Sequence, residues 1–278
     1  MDTVKLNNDV EMPIVGFGVF EIAPNDCERC VLDAIDIGYR LIDTAQAYHN
    51  EEAVGRAIAR TSASREDLFI TTKIWVTEHS REKALASIEE SMRKLGTEYL
   101  DLLLIHQPLG DYYAAYNVMA DLYRDGRLRA IGVSNFSAER LADLSTFGPV
   151  VPAVNQVETH LFFQQVDSVE WMKKYRVQHQ AWGPLAQHRF AEIAANTAVC
   201  AIASAHGRTP AQVALRFNVQ RGVVVIPKSV SKARMAENLD LFDFNLSPEE
   251  METLRAMDEN RSMWAAYDDP NIVNWAMG

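Results

Sequence analysis

Two periodicities take turns along the chain. Short runs of β-branched residues and leucine, each ending at turn residues, predict strands over 14–18, 39–43, 68–73, 100–106, 128–134, 153–157, 177–182 and 223–227. Between them, apolar residues recur three and four apart, as at Ile88, Met92 and Leu95. They predict helices over 25–37, 51–60, 81–95, 112–124, 138–144, 166–174 and 209–220. Regular strand–helix alternation implies parallel strands, and eight of them imply closure into a (β/α)8 TIM barrel. A doubly wound open sheet would need its own phosphate loop. Gly16-x-Gly18 lacks the third glycine of the dinucleotide fingerprint and reads as a close approach of backbone or ligand. Residues 4–12 alternate around Asn7-Asn8 and predict an N-terminal β-hairpin. Two extra helices are expected, one over 191–205 and one from the capped start Ser247-Pro-Glu-Glu250. The tail 261–278 holds Trp264, Tyr267 and Trp275 without a period and reads as a short C-terminal loop over the rim. With no repeat or linker, residues 1–278 read as one domain.

Three consecutive predicted strands stop on ionisable residues: Asp43, Lys73 and His106. In a parallel barrel these side chains converge on the rim where such folds do chemistry. Tyr48 follows just above Asp43. A free tyrosine, with a pKa of about 10, donates a proton poorly at neutral pH. A buried lysine beside it favours the phenolate and lowers that value, while an aspartate keeps the lysine charged. His106 on the next strand is placed to donate to a carbonyl oxygen and orient it. The set suits carbonyl reduction, with a proton from Tyr48 to oxygen and a hydride from a cofactor to carbon. Singly, each residue reads as a structural ion pair or a rim side chain; three successive strand ends favour catalysis.

Composition narrows the partners. A net charge of −11, from 27 Lys+Arg against 38 Asp+Glu, opposes nucleic acid and anionic membrane surfaces. Three cysteines are too few for a disulfide framework. No apolar run approaches the ~20 residues of a membrane span, and the start has no signal-peptide core. The expectation is a cytoplasmic monomer that acts on a small molecule, without nucleic-acid or membrane partners.

Several stretches then fit one family. They are Gly38-Tyr-Arg-x-Ile-Asp43-Thr-Ala-x-x-Tyr48-x-Asn50-Glu51, Thr72-Lys73, Leu104-Ile-His106 and Ile131-Gly-Val-Ser-Asn135-Phe, followed by Val154-Asn-Gln156-Val-Glu158-x-His160, Trp182-Gly-Pro-Leu185 and Ile226-Pro-Lys-Ser-Val230. In this order they resemble the aldo-keto reductases, and among them the bacterial 2,5-diketo-D-gluconate reductase-like members. The resemblance implies that Asp43, Tyr48, Lys73 and His106 form a catalytic tetrad with Tyr48 as general acid. It implies a carboxamide clamp of Ser134, Asn135 and Gln156, a nicotinamide stacked on Trp182, and adenine contacts from Glu237 and Asn238. Gly18, Asp43, Gly183, Pro184 and Leu185 belong to the same expected cofactor site, as do Lys228, Ser229, Val230, Ser231 and Arg234.

Lys228, Lys232 and Arg234 put three cations in seven residues of an acidic chain, after the eighth strand and at a helix start that favours phosphate. Arginine with lysine suits a 2′-phosphate, so NADP(H) is the expected cofactor. Phe20, Tyr48, Trp75, His106 and Gln107, with Trp264, are the expected substrate walls. Gln107 stands where many relatives have tryptophan, and the loop 108–111 and the tail are short. These features predict an open, polar pocket for small α-dicarbonyls or keto-sugars rather than steroids.

Other signals are discounted. Cys27-Glu-Arg-Cys30 lies inside a helical pattern with only Cys200 left, so no metal site is expected. His160, His179 and His188 read as surface or rim polar residues. Two rival functions use the same fold: a Schiff-base aldolase with Lys73 as nucleophile, and a non-enzymatic NADPH-sensing subunit. The aldolase leaves Tyr48, Trp182 and Arg234 together unexplained.

Overall fold

The computed structural model describes residues 2–264 and 269–277. Strand β1 (Thr3–Lys5) pairs antiparallel with β2 (Glu11–Pro13) in the expected hairpin. Asn7 and Asn8 donate from their side chains to the carbonyls of Pro152 and Arg129, both at 2.9 Å. Those residues precede two barrel strands, so the hairpin is pinned to the N-terminal end of the barrel.

The alternation then runs as predicted. It starts β3 (Gly16–Gly18), α1 (Pro24–Ile37), β4 (Leu41–Asp43), α2 (Glu51–Arg60), β5 (Phe69–Ile74), α3 (Arg81–Leu95), β6 (Leu102–Ile105) and α4 (Tyr112–Arg124). It continues β7 (Ile131–Ser134), α5 (Ala138–Phe147), β8 (Val154–Glu158), α6 (Val166–Tyr175) and β9 (Gln178–Trp182). After α7 (Phe190–Ala195), α8 (Thr197–His206) and α9 (Pro210–Gln220) come β10 (Val224–Val225), α10 (Lys232–Leu239), α11 (Pro248–Arg255) and α12 (Asn271–Met277).

Strands β3 to β10 pair side by side in chain order, all parallel. A parallel bridge between Val15 and Val225 closes the ring, with the Val225 N–H donating to Ile14 at 3.0 Å. A Cβ on Gly16 would sit 2.5 Å from the Leu41 side chain, and one on Gly18 2.9 Å from the Ile226 carbonyl oxygen. The paired glycines therefore let β3 close against β4 on one side and the last strand on the other. Both faces of β6 are buried, between the barrel interior and the helices, which is why Leu102-Leu-Leu-Ile105 carries no polar alternation. Burying each such side chain contributes about 1.5–3 kcal/mol.

Two expectations change. The segment 191–205 is two helices, not one, because the Asn196 side chain accepts from the N–H groups of Ala198 and Val199 and starts α8 afresh. The tail is not wholly a loop, since Asn271–Met277 form α12; Tyr267 lies outside the described residues. The capped starts at Thr209 and Ser247 both form, each with a reciprocal bond to the residue three positions on.

Candidate active site

Asp43 ends β4, Lys73 lies in β5, and His106 follows β6 by one residue. Parallel pairing of these neighbours brings the three side chains to one end of the barrel. Tyr48 closes a single 3-10 turn, Gln46–Tyr48, above them. Its loop is bracketed: the Thr44 hydroxyl donates to Asn50 Oδ1 (2.8 Å), and Asn50 Nδ2 donates to the Val19 carbonyl (3.0 Å). Glu51 accepts from the Thr72 hydroxyl at 2.6 Å, beside Lys73. The polar residues flanking Tyr48 thus hold its loop against the strands.

Lys73 is completely buried and its Nζ spends all three donors. It reaches Asp43 Oδ1 at 2.5 Å, the Thr44 carbonyl at 2.9 Å and Tyr48 Oη at 3.4 Å. Burial acts to lower the lysine, but Asp43 and then Tyr48 outweigh it and hold its pKa above the ordinary value. A permanently charged ammonium with three partners is a poor Schiff-base nucleophile, which disfavours the aldolase. Burial pushes the Tyr48 phenol up, and the opposing pull of Lys73 does not overcome it. The expected lowering of the tyrosine pKa is therefore not what the site shows: desolvation of the phenolate is the larger effect. Tyr48 stays protonated and ready to donate, and Lys73 stands where the phenolate charge would form.

Burial, then Lys73 and His79, drive the His106 pKa well below its usual value, so the imidazole is neutral. Its Nδ1 is buried without a partner among the described residues. A neutral ring that donates from Nε2 leaves that buried nitrogen unprotonated, as its surroundings require. The ring packs edge-on to Tyr48 (5.6 Å) and Trp75 (5.0 Å).

A cavity of about 820 Å³ opens over this cluster. Gly18, Ser134, Asn135 and Gln156 line one part of it, and Trp182, Gly183, Pro184 and Leu185 another. Trp182 Nε1 donates to Asn135 Oδ1 (2.8 Å), and Asn135 Nδ2 to the His106 carbonyl (3.1 Å). Gln156 Nε2 donates to Asp43 Oδ2 at 2.7 Å, tying the expected carboxamide clamp to the tetrad. Lys228 reaches the cavity wall; Ser229, Val230 and Ser231 lead from it into α10, which carries Arg234, Glu237 and Asn238.

The cation run is not uniform. Lys232 pairs with Asp33 at 3.2 Å, whereas Lys228 and Arg234 are exposed and make no ion pair among the described residues. Glu237 accepts from the Thr209 hydroxyl (2.8 Å) and Asn238 is buried. An aromatic and amide-lined cavity leading to two uncompensated cations at a helix start fits a phosphorylated dinucleotide.

Phe20, Tyr48, Trp75, His106 and Gln107 all line the cavity, as does Trp264. The tail does not leave the rim open: α12 adds Asn271, Ile272 and Trp275, whose ring meets Trp75 at 5.7 Å and Trp264 at 5.3 Å. These three were missed because an aperiodic tail gives no facing; its tryptophan content was the available signal. Gln107 Oε1 is buried without a partner among the described residues.

The histidines set aside as surface or rim groups divide. His188 is exposed, but His160 and His179 are buried and hydrogen-bonded to Glu158 and Thr159. Cys27 and Cys30 are buried in α1, and burial pushes the Cys27 thiol up to about 12, opposite to a reactive thiolate.

Burial also depresses His79, and His179 to about 3. In the fold these two and His106 hold their protons less tightly than an ordinary imidazole, while the unfolded chain takes up these protons below pH ~6.5. Stability therefore falls as pH drops below ~6.5, with a slope approaching 1.4 kcal/mol per pH unit for each imidazole. Glu51, raised by burial, works in the opposite sense above its ordinary range and offsets part of this. Urea midpoints at pH 7 and pH 5 check it; equal midpoints would contradict the assignment.

Residues 15–259 match the family profile described as Aldo/keto reductase family. The chain is 44% identical over 270 residues to a glyoxal reductase of Bacillus subtilis (strain 168), covering 96% of this chain and 97% of the relative. An aldo-keto reductase of Mycolicibacterium smegmatis is 39% identical over 275 residues, 98% of each chain. Among solved structures, an aldo-keto reductase enzyme from a Medee basin deep-sea metagenome library superposes with a TM-score of 0.94 at 40% identity, covering 96% and 98% of the two chains. A Bombyx mori aldo-keto reductase in complex with NADP gives 0.89 at 30% identity, covering 98% and 96%.

Proposed function

The chain belongs to the aldo/keto reductase family and is an NADP(H)-dependent oxidoreductase acting on carbonyls, and from that premise we propose that it reduces small α-dicarbonyls or keto-sugars through Asp43, Tyr48, Lys73 and His106. Trp182, Asn135 and Gln156 would hold NADPH, which when bound would supply the hydride for the carbonyl carbon. Tyr48 Oη gives its proton to the carbonyl oxygen, and Lys73 Nζ takes up the phenolate charge. Asp43 keeps Lys73 charged and in place. Neutral His106 donates to the same oxygen and fixes its direction. The observation that carries this reading is the Asp43–Lys73–Tyr48 chain beneath a cavity that His106 and Trp182 also line.

Gln107 supports the substrate class. Its amide is a polar group in the cavity wall beside His106, which suits a hydroxylated sugar or hydrated aldehyde better than an apolar steroid. Similarity to a glyoxal reductase points the same way. Loss of NADPH absorbance with methylglyoxal, a keto-sugar and a steroid ketone tests it; a steroid with the highest kcat/KM would sink it.

Lys228 and Arg234 are the proposed seat of the 2′-phosphate. Arg234→Ala is expected to raise KM for NADPH by about tenfold or more, the size of a lost charged hydrogen bond, with little change for NADH. Equal effects on both cofactors would remove Arg234 from that role. The free cysteines suit a reducing compartment, so the reading extends to a cytoplasmic enzyme.

A further inference from the structure

The stretch Asn155-Gln156-Val-Glu158-x-His160 ends in a pair that the chemistry above does not use. Glu158, the last residue of β8, and His160 are both fully buried. His160 Nδ1 accepts from the Phe162 N–H at 3.2 Å, so the ring proton sits on Nε2, which donates to Glu158 Oε1 at 2.9 Å. The rest of the carboxylate faces chain from more than a hundred residues later. Met263 N–H donates to Oε1 (2.8 Å) and the Ser262 hydroxyl to Oε2 (2.5 Å), at separations of 105 and 104 residues. Ser262 Oγ in turn accepts from the Trp264 N–H at 3.0 Å.

That last residue is a wall of the cavity. The Trp264 ring meets Trp182 edge-on at 6.2 Å, and Trp182 is the expected nicotinamide platform. The segment before it is also tied to the β8–α6 connection: Glu259 N–H donates to the Phe162 carbonyl at 2.9 Å, and Gln164 N–H to Asp258 Oδ1 at 3.1 Å. A junction needed only for packing could be made of apolar side chains without burying a carboxylate. A buried acceptor whose donors come from three directions allows one placement of the tail.

We propose that Glu158 is a positioning residue for substrate selection: it fixes residues 262–264, and through them the Trp264 wall, and so sets which carbonyl compounds the cavity accepts. This rests on the carbonyl-reductase reading above. Glu158 itself is not among the residues that line the cavity.

Glu158→Gln tests it in the full chain. The amide keeps the shape but removes the negative charge, and an Nε2–H in place of Oε2 can no longer accept from the Ser262 hydroxyl, which has to turn round and accept instead. Hydrogen exchange at the backbone amides of Met263 and Trp264 should quicken by about tenfold or more, the scale of one lost charge-assisted hydrogen bond. KM for a keto-sugar should rise about tenfold while kcat stays within about twofold, since the tetrad is untouched. Trp264→Ala should reproduce the KM change, and adding Glu158→Gln to it should add nothing. Ser262→Ala, milder for folding, should show the same pattern at smaller size. Unchanged exchange at 263–264 overturns the proposal, as do KM effects of Glu158→Gln and Trp264→Ala that simply add. A wild type that reduces no carbonyl would defeat the functional reading, while the exchange data would still decide whether Glu158 holds the tail.

Discussion

Tyr48→Phe is expected to lower kcat by about 10³-fold, within the range that a positioned general acid contributes. The change removes one oxygen and leaves the ring, so the packing against Phe20 (4.9 Å) and the edge contact with His106 survive. Lys73 loses its weakest partner, the 3.4 Å bond, and keeps Asp43 and the Thr44 carbonyl. Folding stability should hold, and NADPH should still quench tryptophan fluorescence through Trp182. Tyr48 is half-buried and desolvation raises its pKa, so the proton is present at the start of the reaction over the whole neutral range. A variant that keeps a tenth or more of the wild-type kcat would mean that another group, such as His106 or water, supplies the proton. Loss of NADPH binding together with turnover would place Tyr48 in the cofactor part of the site rather than at the reacting carbonyl.

Lys73→Met is expected to abolish turnover and also to unfold more easily. The substitution leaves the Asp43 carboxylate buried with only the Gln156 amide as a side-chain partner. Removing one member of a buried ion pair costs about 3–5 kcal/mol, chiefly from the uncompensated charge left behind. Asp43→Asn with Lys73→Met removes that charge and should recover much of the stability without any of the activity. This double variant separates the two roles of the pair. Chemical denaturation of the three proteins, read beside NADPH turnover, checks the claim. If Lys73→Met is as stable as the wild type, the strong Asp43–Lys73 coupling inferred here is wrong.

Much of the proposed catalytic floor was legible in the sequence because each of its residues sits at the end of a short apolar run. Strand period and parallel topology carry Asp43, Lys73 and His106 to one rim whatever the helices outside do. The loop of Tyr48 was legible for a related reason: Thr44, Asn50 and Glu51 bond to backbone and to neighbouring strands within a few residues of the tyrosine. The boundary at Asn196 was missed because apolar spacing of three and four continues across it. Only the local choice of a capping side chain over a continued turn breaks the helix there.

Charge and position were separable in the same way. The sequence alone identified Lys228, Lys232 and Arg234 as cations in an acidic chain, but the fold decided that Lys232 is spent on Asp33. It also placed Lys73 beside Tyr48, whereas the sign of the tyrosine shift depended on burial, a quantity that no residue spacing encodes.

The sequence by itself determined the barrel, the four polar groups at its rim and the carbonyl chemistry they suit, because strand–helix alternation and strand ends are local properties of the chain. Tertiary structure alone decided how the tail completes the walls. Trp264 and Trp275 reach the cavity because α12 folds back across the rim and because Glu158, more than a hundred residues earlier, holds Ser262 and Met263. Contacts at that separation form only when the whole ring has closed, since nothing in the period of either segment records the other.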